Sequence, residues 1–295
     1  MKLTDAQAVD IGLTPSPGAY TGVPFEQYAR WPYLSKSALA DFATNPALHR
    51  ARLDGTIPPK SSTGFAVGSA ADALWVESLG LLESGFVVWR EGARRGKAWT
   101  AFKAEHADKT ILTADEETRA RGAVDALEAH ERACELRSAA TPQLSLVWDC
   151  PITGLRLKGR PDLPNFDRRT LSDLKTARDV TYRGFDRAIT DYNYPWQLYL
   201  YAQGLTVLEH GARWEQHLHD WRPWLIAVKN EPVHSVSCRP LHKEAIELAR
   251  VEVSTQLWQY RECVLGGDWP ANYDDEREYM PPQWRMKRAY QHENK

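Results

Sequence analysis

The segment "GRPDLPNFDRRTLSDLKTA" (159–177) constrains the fold of this chain more than any other. It lies in a run of β-type sequence. "LSLVWDC", "LRLKGRPDL" and "TLSDLKTA" are three short apolar-rich stretches, separated by Pro151 to Gly154 and by "PNFDRR", which predicts a meander. Where strands normally supply packing side chains, the second stretch runs into Asp162 and the third carries Asp173 and Lys175. Alternation sends Asp173 and Lys175 to one face and Leu174 to the other, and the hairpin folds Asp162 back toward Asp173. Two carboxylates so placed repel each other unless something cationic joins them.

The flanks are helical. "LSKSALADF" opens with Ser35 or Ser37 as an N-cap and repeats Leu39 and Phe42 at helical spacing; "SSTGFAVGSAADALWVESL" predicts a tightly packed helix from about 64 to 79. "GFVVWR" has strand character. "GKAWTAFKAEHAD" reads as a helix, and so does "TADEETRARGAVDALEAHERACELR", capped by Thr113 and read as one long solvated spacer. After the hairpin come helices near 182–191 and 196–209, the strands "WLIAVKN" and "HSVSCRP", and a helix near 242–265. This order predicts an α/β fold with a central mixed β-sheet flanked by helices. Residues 1–33, rich in Pro and Gly, read as a loosely structured lead-in with one short helix near 25–29; 34–266 read as a single domain and 267–295 as a draped extension.

Composition narrows the function classes. With 295 residues, 43% hydrophobic and 26% charged, the chain suits one elaborated domain, and its formal charge of −2 leaves any polyanion partner to a local basic groove. Four cysteines without a CxxC pair argue against a zinc or iron–sulfur site and point to a reducing cytoplasm. No apolar run approaches the roughly 20 residues that span a bilayer, so no membrane partner is expected. There is no Walker-type phosphate loop and no convincing Ser–His–Asp set. His210, His217 and His219 lack a completing ligand set and read as solvated or capping residues; Trp75, Trp196 and Trp258 read as core.

The acidic hairpin carries the chemistry. Mg²⁺ prefers hard oxygen ligands and is commonly held by one or two carboxylates with waters and phosphate oxygens, and the Leu174 carbonyl could complete such a shell. Lys175, unable to bind the metal, would orient an attacking water and offset charge growing on a phosphodiester. Taken alone, the same residues also fit a strand end at Pro161-Asp162 and an exposed cross-strand charge pattern.

"GRPDL…LSDLKTA" resembles the core of the PD-(D/E)XK nucleases. Over about Tyr28 to Trp284 the chain is similar to their phage- and prophage-type exodeoxyribonuclease VIII (RecE C-terminal) group, related to the RecB nuclease domain. The similarity rests on "YLSKSALADFATNPALHR", "VGSAADALWVE", "GARRGKAWTAFKAEH", "YNYPWQLYLYAQGL", "DWP" and "PPQW". It implies a restriction-endonuclease-like core in which Asp162 and Asp173 bind Mg²⁺, with Mn²⁺ an alternative, and Lys175 is catalytic. Gln197 and Tyr201 match a Q-x-x-x-Y helix beside the site, and their i, i+4 spacing places them on one face. The chain departs from the pattern at Gly68-Ser69-Ala70-Ala71-Asp72, which ends on Asp72 where members typically carry histidine. Asp72 is a still harder metal ligand. Glu77, turned by about 140° on the same helix, is expected farther out or at a second metal. The resemblance further implies 5′→3′ resection of double-stranded DNA ends for a single-strand annealing protein. It also implies a homo-oligomer and a phage or prophage product at work in a bacterial cytoplasm; the superfamily includes iron–sulfur relatives, and the scattered cysteines speak against a cluster here.

Two basic stretches complete the expectation. "WREGARRGKAWTAFK" interleaves Arg90, Arg94, Arg95, Lys97 and Lys103 with Trp99 and Phe102, which suits phosphate tracking and stacking, or a plain solvated face. Ser35, Lys36 and Ser37 at a helix start could hold a terminal phosphate, or act as an ordinary cap.

Overall fold

The computed structural model describes residues 1–5, 12–58, 64–80, 85–271, 278, 280, 281 and 283. In chain order the elements begin with β1 (Leu3–Asp5), β2 (Gly18–Thr21), α1 (Phe25–Arg30), α2 (Lys36–Thr44), α3 (Pro46–Leu53), α4 (Gly64–Trp75), β3 (Phe86–Trp89), α5 (Gly96–Glu105), β4 (Thr110–Thr113), α6 (Ala114–Glu128) and α7 (Glu131–Arg137). They continue with β5 (Ser145–Asp149), β6 (Arg156–Gly159), β7 (Leu163–Asn165), β8 (Thr170–Ala177), α8 (Tyr182–Asp191), α9 (Tyr194–His210), a 3-10 segment (Gly211–Asp220), β9 (Arg222–Lys229), β10 (Val236–Pro240) and α10 (Lys243–Gly266).

The strands form two mixed four-stranded sheets, ordered β1-β2-β5-β6 and β10-β9-β8-β7, with β3 and β4 as a small parallel pair. The stretch read as one strand, 155–163, is therefore split between the two sheets. Pro161 has no N–H to give a ladder, so the backbone leaves one sheet and enters the next across 160–162. The freed carbonyls are still satisfied: Pro161, Asp162 and Pro164 accept from Leu144, Gln143 and Thr141 at 3.2, 2.9 and 2.8 Å.

The parallel pair β8–β9 is covered on both faces, which is why "WLIAV" reads as a continuous apolar run. Leu225 and Ala227 face the core built by α2, α9 and α10, with Phe42, Leu198, Leu205 and Leu257. Ile226 and Val228 face the opposite core under α4 and α6, with Trp75, Ala123 and Leu127. Trp31, Trp75, Trp148 and Trp221 are among the largest fully buried side chains. Each takes roughly 200 Å² out of water, on the order of 5 kcal/mol before entropy is counted.

Several expectations need correction. Residues 18–31 are not loose: β2 joins the sheet beside β5, and Ala19, Val23 and Trp31 are buried. The long spacer is two helices, because His130 caps α7 by accepting the Ala133 N–H at 3.2 Å, and it is packed rather than solvated through Ala120, Ala123 and Leu127. Helix α4 stops at Trp75, short of 79. Trp258 is 44% exposed, not core. The start of the C-terminal extension docks through Trp269, edge-on to Phe42 and Tyr260; Trp284 lies outside the described residues. No described helix is long and apolar enough to cross a membrane.

Candidate active site

Strand β8 presents a carboxylate to the interior. Asp173 is 1% exposed, and its charge is tolerated because donors converge on it. The Lys175 ammonium pairs with its Oδ2, and the Gln197 amide donates to its Oδ1 at 2.9 Å. Lysine can only donate, so the Gln197 oxygen must face Lys175, at 3.1 Å; its nitrogen then serves Asp173 and the Tyr201 hydroxyl, at 2.8 Å. The Gln197 amide thus has one workable orientation. Tyr201 reaches its place because residue 159 is glycine: a Cβ there would come within 2.8 Å of its ring.

Asp162 stands in the passage between the sheets and accepts the Leu174 N–H at 2.8 Å, on the side where the β7 backbone has left the ladder. Burial, then the charges of Asp173 and Asp72, push its carboxyl well above the usual range. Asp72 arrives from α4. Gly68, one turn earlier, lets the helix close on β8, since a Cβ there would meet the Thr176 hydroxyl at 2.7 Å. Burial, then the charges of Glu77 and Asp173, raise the Asp72 carboxyl to about 7, against the pull of Lys175 and Arg160. Burial alone would depress Lys175, but Asp173 and Asp162 outweigh it and hold the ammonium charged. Burial and the crowding of acidic groups thus drive Asp72 and Asp162 toward the protonated form while Lys175 keeps its charge.

Two residues here carry no sequence signature. Gln143, left-handed at φ 49°, donates its backbone N–H to Asp162 O at 2.9 Å and its side-chain amide to Asp72 Oδ2 at 2.7 Å. Arg160 donates to the Gln143 oxygen at 2.8 Å and to Val23 O at 2.7 Å, which fixes the amide. Together they set Asp72 against Asp162. Only the turn-prone "TPQ" hints at Gln143.

The other predicted residues divide. Glu77 lies past the end of α4, so the 140° helical offset does not apply, and its charge is the strongest one acting on Asp72. Lys36 reaches the site: its ammonium donates to Tyr192 O at 2.7 Å, and burial, reinforced by Lys175, brings it down to about 8. Ser35 caps α2, accepting from Ala38 N at 3.3 Å, and Ser37 is exposed. Arg94 is committed to Glu116 at 2.5 Å and to Ile111 O at 2.7 Å rather than turned outward, whereas Arg95 and Lys97 are exposed at the start of α5.

A separate group, His210, His217 and Asp220, has its ligand atoms within 4.8 Å of one another. It sits at the far end of α9, about 13 Å beyond Tyr201 by helical rise. The two imidazoles stack at 3.7 Å and 15°, so their in-plane lone pairs run parallel and do not converge, and His217 is bonded to Asp220 at 2.8 Å. His219 pairs instead with Glu247 at 2.7 Å. The β8 site fits a hard divalent cation better: the carboxyls of Asp72, Asp162 and Asp173 lie close enough for their charges to act on one another, and such an ion would let them stay ionised.

The fold has a solved counterpart. A candidate exonuclease from Eubacterium rectale, known from a crystal structure, superposes with a TM-score of 0.60 at 16% identity, covering 89% of this chain and 95% of that one. No curated protein matches. The mixed α/β architecture agrees with the family model that covers residues 35–280, and the chain belongs to that family, described as a PDDEXK-like domain of unknown function (DUF3799).

Proposed function

We propose that this protein is a Mg²⁺- or Mn²⁺-dependent deoxyribonuclease that resects linear double-stranded DNA in the 5′→3′ direction. The observation that carries the reading is the enclosed Asp173–Lys175 pair facing two further carboxylates whose protonation is driven up by their neighbours. Asp72, Asp162, Asp173 and the Leu174 carbonyl would hold the ion. Bound there, it would supply positive charge to the phosphate and acidify a water.

The protein's own groups do the rest. Lys175 stays protonated, so it acts as a donor and not as a base: it orients the attacking water and offsets charge on the phosphorus oxygens. Gln197 and Tyr201 keep Asp173 and Lys175 in place. Lys36 adds a second ammonium where the substrate phosphate would lie. In hydrolysis the P–O3′ bond breaks as water oxygen bonds to phosphorus; the 3′ oxygen leaves with a proton and the phosphate stays on the 5′ side of the next nucleotide.

Polarity, the single-strand annealing partner, a homo-oligomer around the duplex and action in a bacterial cytoplasm as a phage or prophage product belong to the proposal through family likeness. The rival reading is a non-catalytic DNA-binding scaffold, which would have no use for an enclosed acid–lysine cluster. The test is digestion of linear duplex labelled at the 5′ or the 3′ end, beside covalently closed plasmid, with Mg²⁺ or Mn²⁺. Early release of the 5′ label, an intact plasmid and an inert Lys175→Ala protein are expected. Equal digestion by Lys175→Ala would remove the catalytic assignment.

A further inference from the structure

A cavity of about 710 Å³ opens between β10 and the start of α8. Sheet register places it relative to the acidic site. Asp173 pairs with Leu225 and Leu225 with Arg239; Lys175 pairs with Ala227 and Ala227 with Ser237; Ala177 pairs with Lys229. Paired residues share a face, so Lys229, Ser237 and Arg239 lie on the catalytic face of the sheet, the last two roughly 10 Å across it from the β8 pair. Helix α8 is anchored by the fully buried Phe185, and the loop 178–181 leads into its first turn. Arg178 on that loop lies three residues, roughly 10 Å, beyond Lys175 along the chain. At the axial step of duplex DNA that would be about three nucleotides, but an extended single strand, with phosphates roughly 6 Å apart, covers it in about two.

The lining is cationic although the whole chain carries a formal −2. Arg178, Lys229 and Arg239 face one lining carboxylate, Asp179, which accepts the Thr181 N–H at 2.9 Å and so is turned toward the start of α8. Arg239 is braced by the Ser237 hydroxyl at 2.9 Å, lies 3.5 Å from Asp186, and places its guanidinium 4.0 Å from the centre of the Tyr182 ring. That ring is 76% exposed, its outer face open to a partner. Cations spaced along a groove with an exposed aromatic plane above them are the chemistry of a single nucleic-acid strand: phosphates below, a base stacked above.

We infer that this groove binds the DNA strand emerging from the acidic site, Arg178, Lys229 and Arg239 pairing its phosphates and Tyr182 stacking on a base about two nucleotides from the scissile bond. The inference rests on the nuclease reading, but it is tested separately. In EDTA, fluorescent duplexes with single-stranded tails of increasing length should bind wild-type protein more tightly until the tail passes about two nucleotides. The triple variant R178A/K229A/R239A should flatten the plot of log affinity against log salt by about 2, at about 0.7 per phosphate contact on a single strand. Tyr182→Ala should weaken long tails about tenfold and leave the shortest unchanged. Hydrolysis of bis-p-nitrophenyl phosphate in Mn²⁺ should not change in either.

Unchanged salt slope and tail dependence, in variants whose circular dichroism matches wild type, would overturn the groove. So would competition by thymidine 5′-monophosphate as strong as that of a long tail, which would mark a mononucleotide pocket. If the triple variant does not fold, Tyr182→Ala and the wild-type tail series still decide. Groove-dependent binding by a protein that cleaves neither substrate would keep the groove and sink the nuclease reading.

Discussion

In the β1-β2-β5-β6 sheet the Lys158 ammonium rests on backbone carbonyls, those of Tyr28, Ala29 and Trp31, at 3.0, 2.9 and 2.8 Å; in the β10-β9-β8-β7 sheet the Lys175 ammonium rests on a carboxylate and an amide. The contrast shows in their protonation. Carbonyl dipoles satisfy the hydrogen-bonding capacity of Lys158 but not its lost hydration, and burial brings it down to about 8. Lys175 meets formal negative charge and is pushed up. The first lysine ties the end of α1 to the sheet. The second belongs to a cluster whose buried carboxyls are driven toward protonation, and a divalent metal ion is what would let them stay ionised.

The most forceful attempt to break this contrast is to remove each lysine. Lys175→Ala should lower turnover on linear duplex by at least 10²–10³-fold, the usual loss when one preorganised donor is removed, with the circular dichroism retained. Lys158→Met should instead cost about 2–3 kcal/mol in urea unfolding, from carbonyls left without a donor, and leave turnover per folded molecule unchanged. Comparable loss of turnover in both would erase the distinction.

The next effect is smaller and lies within the acidic cluster. Gln143→Ala should weaken Mn²⁺ binding by about tenfold in calorimetry, the lower end of what loss of a ligand-orienting partner produces. Unchanged affinity would mean that Asp72 needs no orienting donor.

The smallest effect separates the two sheets by pH. Asp72, at about 7 when folded against an ordinary 3.8, binds more protons folded than unfolded between those values, so its contribution to stability falls as pH rises through that window. Lys158, at about 8 against 10.5, binds fewer protons folded than unfolded, so its contribution rises between pH 8 and 10.5. In EDTA, Asp72→Asn should flatten the acid limb of a plot of thermal midpoint against pH, and Lys158→Met should flatten part of the alkaline limb, the rest belonging to Lys36, which burial also brings down to about 8. Mg²⁺ should flatten only the acid limb. Loss of both limbs in either variant would show that the sheets do not titrate independently.

The acid–lysine part of the site was legible because its pieces are local: a spacing of two on β8, a turn back to Asp162, and a spacing of four on α9. Gln143 and Arg160 were not, because they act through a left-handed turn and a strand that changes sheets, neither of which leaves a periodic trace. Glu77 was misplaced because "WVESLG" has no proline or early glycine to mark the end of α4. The prolines and glycines of 15–32 hid a strand and three buried apolar residues, since turn composition says nothing about what packs between turns. Arg94 looked available because an ion pair to Glu116 across a loop and a strand has no sequence signal.

The way Asp162 closes the Leu174 amide makes the strand crossover a mechanical joint as well as a ligand platform. Shear of one sheet against the other would strain that contact, because the carboxylate's own backbone belongs to the link. Leu174 is therefore the amide whose deuterium uptake would register strain between the halves before either half began to unfold.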